Sequence, residues 1–105
     1  MLNEYRVKFT PLAKNDMDEI YQYIFDTLIA PIAANNLIDK IEEKAKRLAD
    51  APYSCPLVDD EFLREKGYRK LVINNYIALY MVSDDEKLVK IMRVVYGGSD
   101  YENNI

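Results

Sequence analysis

The apolar positions of this chain change their period in a definite order. From Glu4 to Phe9 they alternate, with Tyr5, Val7 and Phe9 on one side and Arg6 and Lys8 on the other, which predicts a half-buried strand. Thr10 and Pro11 follow as a hydroxyl cap and a proline at the first helical position, where a missing N–H costs nothing. Leu12, Met17, Ile20, Tyr21, Ile24 and Leu28 then recur near every 3.6 residues and predict an amphipathic helix of about four or five turns. Asp16, Asp18 and Glu19 stand in its early turns, where the helix dipole favours acid. Pro31 opens a second helix with Leu37, Ile38, Ile41, Ala45 and Leu48 as its apolar stripe, although Ala30 is a poor cap. So short a connection predicts an antiparallel helical hairpin.

Pro52 and Pro56 end the helical region, and the aperiodic stretch from Asp50 to Gly67 predicts a loop with a helical turn around Glu61 to Lys66. Three strands follow: Tyr68 to Ile73, Tyr76 to Ser83 and Lys87 to Tyr96. Asn74-Asn75 suits the first turn because Asn tolerates positive φ, and Asp84 to Glu86 make the second. Gly97-Gly98 ends the last strand; with no Lys-Ser/Thr pair and no helix after it, the turn lacks the parts of a phosphate loop. The expected architecture is one α+β domain over residues 1–105, ordered β-α-α-β-β-β. In it a twisted, mostly antiparallel four-stranded sheet packs one face on a helical hairpin.

Composition narrows the chemistry. The 105 residues are long enough for one core, and half of them are hydrophobic. Histidine is absent, which removes imidazole as base, metal ligand and pH switch. The single Cys55 has no partner for a disulfide and no imidazole to activate it, so it reads as an incidental loop residue in a reducing compartment. No metal or cofactor is expected. A net charge of -4 disfavours non-specific binding to nucleic acid or anionic membrane. The absence of a leader or a long apolar run leads us to expect a soluble, cytoplasmic protein without a membrane partner.

Arg69 and Arg93 stand out because each lies within an expected strand among apolar neighbours, where a charge must find water, a partner or a ligand. Strict alternation puts Arg69 with Leu71 and Ile73, and Arg93 with Val89, Ile91 and Val95; Asp100 is a candidate acid for either. Of nine tyrosines, Tyr5, Tyr21 and Tyr80 are expected in the core. Tyr68, Tyr96 and Tyr101 fall near strand ends, where a phenol can stack a base or touch a partner.

Taken together, YRVKFTPLAKNDMDEIYQYI, GYRKLVINNYIALYMV and VKIMRVVYGGSDY resemble the RelE/ParE superfamily of bacterial type II toxins. The likeness covers nearly the whole chain except about Pro52 to Lys66, and lies in the ordered set of motifs rather than in any one. It implies a growth-inhibiting toxin of a plasmid-stabilisation type of module, neutralised by a cognate antitoxin and forming a hetero-oligomer with it. Members resembling RelE are metal-independent nucleases of ribosome-bound mRNA; those resembling ParE bind DNA gyrase. In the nuclease case the catalytic residues implied here are Arg69, Arg93 and Tyr96. Residues implied for target or partner binding are Tyr68, Lys70, Asp100 and Tyr101.

The chain departs from the nuclease pattern at Ile77 after Tyr76, at Leu71 and at Ser99, each a place where such members carry a basic residue. Each loss removes a charge-assisted contact of about 2 to 3 kcal/mol. The favoured expectation is therefore gyrase inhibition. The alternatives are a ribosome-dependent endoribonuclease, or a degenerate toxin that acts only as an antitoxin-binding module.

Overall fold

A computed structural model describes residues 4–99 and 101–103. Its first strand, β1 (Arg6–Phe9), leads into α1 (Pro11–Gln22), a π-helical turn (Tyr23–Thr27) and α2 (Pro31–Lys46). After a 3-10 turn and a loop come α3 (Glu61–Glu65), β2 (Arg69–Ile73), β3 (Tyr76–Ser83) and β4 (Leu88–Tyr96). The sheet order is β1-β4-β3-β2, with β1 parallel to β4 and the other two pairings antiparallel. This is the α+β arrangement that the periods predict. The strands β1, β2 and β4 begin one or two residues later than alternation suggests; Lys87, for one, takes φ +51° and belongs to the turn.

Thr10 holds the join between sheet and helix. Its side-chain oxygen accepts the Ala13 N–H at 3.1 Å as the α1 cap, and its hydroxyl donates to the Met92 carbonyl at 3.0 Å. One face of the sheet packs on the helical hairpin through Met17, Leu37, Ile41, Tyr80, Ile91 and Val94, among others. Tyr80 is fully buried there, while Tyr5 and Tyr21 lie only partly buried at its margin. Leu12 and Leu28, expected in the α1 stripe, are 52% and 54% exposed, because Ala13 and Asp16 take the inward positions instead.

The structure adds one feature and corrects another. The face of the sheet away from the hairpin is also covered in part: Val58, Leu63, Tyr68 and Leu79 form a second buried cluster beneath α3, joined by Met92 and Val95. And β4 does not alternate strictly. Tyr80 pairs with Ile91 but Leu79 pairs with Arg93, so Met92 is an extra residue, a β-bulge. Past it the faces exchange, so Val94 joins the helix-side core and Val95 the second cluster.

The hairpin tip carries backbone strain. Ile29 sits at φ +50° and is 82% exposed, in a left-handed position that a helix usually ends on with Gly or Asn. The Ala30 N–H reaches back past it to the Ile24 carbonyl at 3.0 Å, which fixes the conformation. A β-branched residue there costs about 1–2 kcal/mol. Ile29→Asn is expected to raise unfolding stability in urea by about 1 kcal/mol; a loss of stability would count against this reading of the tip.

Candidate functional site

The loop from Ala51 to Pro56 and the start of β2 form one end of the structure. There Arg69 donates through its guanidinium to the Cys55 carbonyl at 2.6 Å and lies over the Tyr53 ring, 4.9 Å from its centroid. Tyr53 and Tyr5 both donate their hydroxyls to one oxygen of Asp84, at 2.6 and 2.7 Å. Those hydrogen bonds, Tyr53 first, hold the Asp84 carboxyl below its ordinary range. The same bond pushes the Tyr53 phenol up to about 12. Arg69 thus fastens a loop across the sheet end, an arrangement that a structural role explains in full.

The sign of the pH effect follows. The Asp84 contribution is present above about pH 4, the ordinary carboxylate range, and lost as pH falls through the lower native value. The Tyr53 contribution is complete below about 10, the ordinary phenol value, and lost as pH rises through about 12. Comparing tyrosinate absorbance of the parent chain and Tyr53→Phe should isolate one phenol that titrates near 12. A phenol at the ordinary value would remove the tether.

Arg93 is committed elsewhere. Its Nε and a terminal nitrogen donate to the two carboxylate oxygens of Asp16 at 2.7 and 2.9 Å, and the Val94 N–H donates to the same carboxylate at 3.0 Å. The side chains are 21% and 7% exposed. Beyond Phe9, β1 no longer covers β4, and Asp16 on α1 caps the edge that it leaves. The Asp16 hydrogen bond also raises the Arg93 pKa above its already high value. Asp16 is thus one acid partner of Arg93; Asp100, the acid expected from the sequence, lies outside the described residues. The signal was present in the sequence, since Asp16 follows Ala13 by three and precedes Ile20 by four, on the buried stripe of α1.

Three of the other residues singled out for binding gather around the second cluster. Tyr68 is a core residue rather than a surface one, 8% exposed among Val58, Leu63 and Leu79. Tyr101 packs on the same cluster, and burial raises its phenol pKa. Lys70 lies 3.7 Å from Asp59. Tyr96 stands apart from these.

Tyr96 ends β4 at 55% exposure and meets Tyr76 edge to face, with ring centroids 5.9 Å apart. The Gly97-Gly98 turn ends the strand, the Gly97 N–H donating to the Asn75 carbonyl at 2.8 Å. A Cβ on Gly98 would stand 2.7 Å from Tyr96 Cε2, so the bare backbone gives the ring its seat. Between this sheet end and α1 opens a cleft of about 490 Å³, lined by Asp16, Glu19, Tyr23, Tyr76, Val94 and Tyr96 among others. Burial, and then the neighbouring Tyr23 and Tyr96, raise the Tyr76 phenol pKa. Sequence reasoning selected neither Tyr23 nor Tyr76, because the cleft joins a helix to two strand ends far apart in the chain.

Arg69, Arg93 and Tyr96 therefore do not converge. Arg69 is opposite Tyr80 and Tyr96 is opposite Tyr76, on either side of β3. Four residues of strand separate those levels, roughly 13 Å at 3.3 Å each. Tyr5, Tyr53, Tyr76, Tyr80 and Tyr101 all have raised pKa values, the wrong direction for a general base near neutrality. Among the described residues no group of three or more Cys, Asp or Glu is arranged to hold a metal, and no helix is long and apolar enough to cross a membrane.

Comparison with known families bears on the same residues. The family model described as "ParE toxin of type II toxin-antitoxin system, parDE" matches residues 7–101. The chain belongs to the ParE toxin family. A solved chain from the chromosomal ParDE toxin-antitoxin system of P. aeruginosa shares this ParE-type architecture. It has a TM-score of 0.73 at 25% identity, over 90% of this chain and 98% of that one. A chain of the toxin-antitoxin complex RelBE2 from Mycobacterium tuberculosis is similar in fold, at TM-score 0.62 and 22% identity, over 89% of this chain and 98% of that one. So is YafQ from E. coli strain BL21(DE3), at TM-score 0.54 and 14% identity, over 88% and 92%. No curated protein sequence is significantly similar. The ParE family match makes the chain a type II toxin of the RelE/ParE superfamily, as the sequence motifs suggest.

Proposed function

We propose that this ParE-family chain is a cytoplasmic toxin held inactive by a co-encoded antitoxin, and that its target is DNA gyrase rather than ribosome-bound mRNA. The observation that carries the target is the employment of its two strand arginines. Metal-free cleavage of RNA needs preorganised positive charge around one phosphate, to stabilise charge that develops as the 2′-hydroxyl attacks. Arg69 instead binds the Cys55 carbonyl and Arg93 the Asp16 carboxylate. Leu71, Ile77 and Ser99 stand where further basic groups would be wanted. The ParE family match and the likeness to the ParDE chain support the same branch.

The antitoxin is supported by two of the structural neighbours, which are chains of toxin-antitoxin assemblies. Expression of the chain alone should arrest growth and leave plasmid DNA relaxed, and expression of the neighbouring small protein should restore both. Arrest with plasmid supercoiling unchanged would set gyrase aside. Harmless expression at normal folded levels would favour a degenerate toxin that only binds its antitoxin.

A further inference from the structure

The cleft between α1 and the end of the sheet has the chemistry of a cation site. Three phenol rings line it, Tyr23 from the helix side and Tyr76 and Tyr96 from paired strand ends. Aromatic faces attract guanidinium and ammonium groups, most strongly where several rings converge and water is partly excluded. The charges around the cleft do not cancel. Asp16 is neutralised by Arg93, which leaves Glu19. Glu19 forms no hydrogen bond or ion pair among the described residues, and its charge attracts the nearby Arg93 after Asp16 does. Among the described residues the site thus presents three rings, the Asp16 carboxylate paired with Arg93 and the Glu19 carboxylate, and no basic side chain lines it.

The site is also built in advance. Gly98 admits the Tyr96 ring, and the Ser99 N–H and hydroxyl both donate to the Tyr96 carbonyl, at 3.0 and 2.6 Å. A volume of about 490 Å³ is far more than one water needs and falls in the range of small-ligand sites. Beyond Tyr23, whose carbonyl accepts the Leu28 N–H, the surface turns apolar: Leu28, Ile29 and Ile32 are 54%, 82% and 76% exposed. Asp26 is the only charge between Ile20 and Asn36. A cation site beside an uncharged apolar tip matches a peptide segment in which a basic residue is followed by apolar ones. It does not match a nucleic acid, whose phosphates Glu19 would repel.

We propose that this cleft takes an arginine side chain of the antitoxin, with the guanidinium between the tyrosine rings and paired with Glu19. Arginine fits better than lysine because its planar, weakly hydrated group stacks on rings while it donates to a carboxylate. The partner's identity rests on the antitoxin reading above; the cleft's preference for a cation does not.

Two measurements separate these claims. The first is NMR of the chain with labelled tyrosine rings, titrated with N-acetyl-arginine methylamide and with its neutral citrulline analogue. Resonances of Tyr23, Tyr76 and Tyr96 should move and saturate with the arginine probe, those of Tyr5 and Tyr53 should stay, and citrulline should have no effect. Absence of movement, or equal movement with citrulline, overturns the cation site. The second is the affinity of the co-encoded antitoxin. Tyr96→Leu should weaken it about ten-fold and Glu19→Gln about five-fold, in line with a partly desolvated cation–ring contact. Gly98→Ala should weaken it too, by displacing the Tyr96 ring without removing it. Unchanged affinity in all three variants overturns the assignment to the antitoxin. A parent chain that does not bind its neighbour at all refutes the partner reading itself, and the ring shifts then still decide the cleft.

Discussion

Asp16→Ala is expected to destabilise the fold by about 3 to 5 kcal/mol, the cost of removing one partner from a largely buried ion pair. The carboxylate is 6% exposed and receives three hydrogen bonds, two from Arg93 and one from the Val94 N–H. Its loss leaves a guanidinium and a strand-edge N–H without that acceptor, at the place where α1 meets β4. Asp16→Asn keeps an acceptor but not the charge, and should cost roughly half as much. Replacing both residues by apolar ones of similar size, Asp16→Leu with Arg93→Met, should recover the part due to the unpaired guanidinium but not the part due to the Val94 N–H, because well-packed apolar groups often substitute for a buried pair but offer the N–H no acceptor. Urea unfolding measures all three. A cost below about 1 kcal/mol for Asp16→Ala, the scale of an exposed pair, would mean that the pair does not hold helix and sheet together.

Tyr80→Ala should be of similar size, about 3 to 5 kcal/mol, as for other large aromatic truncations in a core. Tyr80 is fully buried at the middle of β3, in the cluster that joins the helical hairpin to the sheet. Its hydroxyl donates to the Pro52 carbonyl at 3.0 Å, so one side chain fills the core and also ties down the loop that Arg69 holds. Tyr80→Phe separates the two roles. It should cost only about 1 kcal/mol, one net hydrogen bond, because that bond is only partly buried. If Tyr80→Phe cost as much as Tyr80→Ala, the loop anchor rather than the ring would be the main stabiliser.

The contrast between these residues shows what the sequence could and could not disclose. Tyr80 reads as a core residue because it sits in a strand whose period and boundaries are plain in the sequence. Local rules also gave the Thr10-Pro11 helix start, the turn at Asn74, where φ is +54°, and the strand end at Gly97-Gly98. What they missed came from contacts between distant segments. The bulge at Met92 moved Arg93, Val94 and Val95 out of strict alternation, and no local signal marks an extra residue in a run so uniformly apolar. The Asp84 tether joins residues 31 and 79 positions apart. Asp16 was visible as an acid on a buried stripe, yet the helix dipole offered a sufficient reason for it.

Of the residues implied for catalysis, Arg69 and Arg93 are tied into the fold, and Tyr96 stands in a different neighbourhood from Arg69. Family membership was legible in the ordered motifs because they encode the strand and helix boundaries of the fold. The proposed branch within the family rests on which way two arginine side chains turn, and strand periodicity does not carry that information.

We propose that the chain, a toxin fold with its two strand arginines employed in the structure, acts on gyrase. Purified protein placed in two assays side by side, gyrase supercoiling of relaxed plasmid and cleavage of ribosome-bound mRNA, decides the target. The expected result is loss of supercoiling with the mRNA intact. Cut mRNA with gyrase unaffected would contradict it.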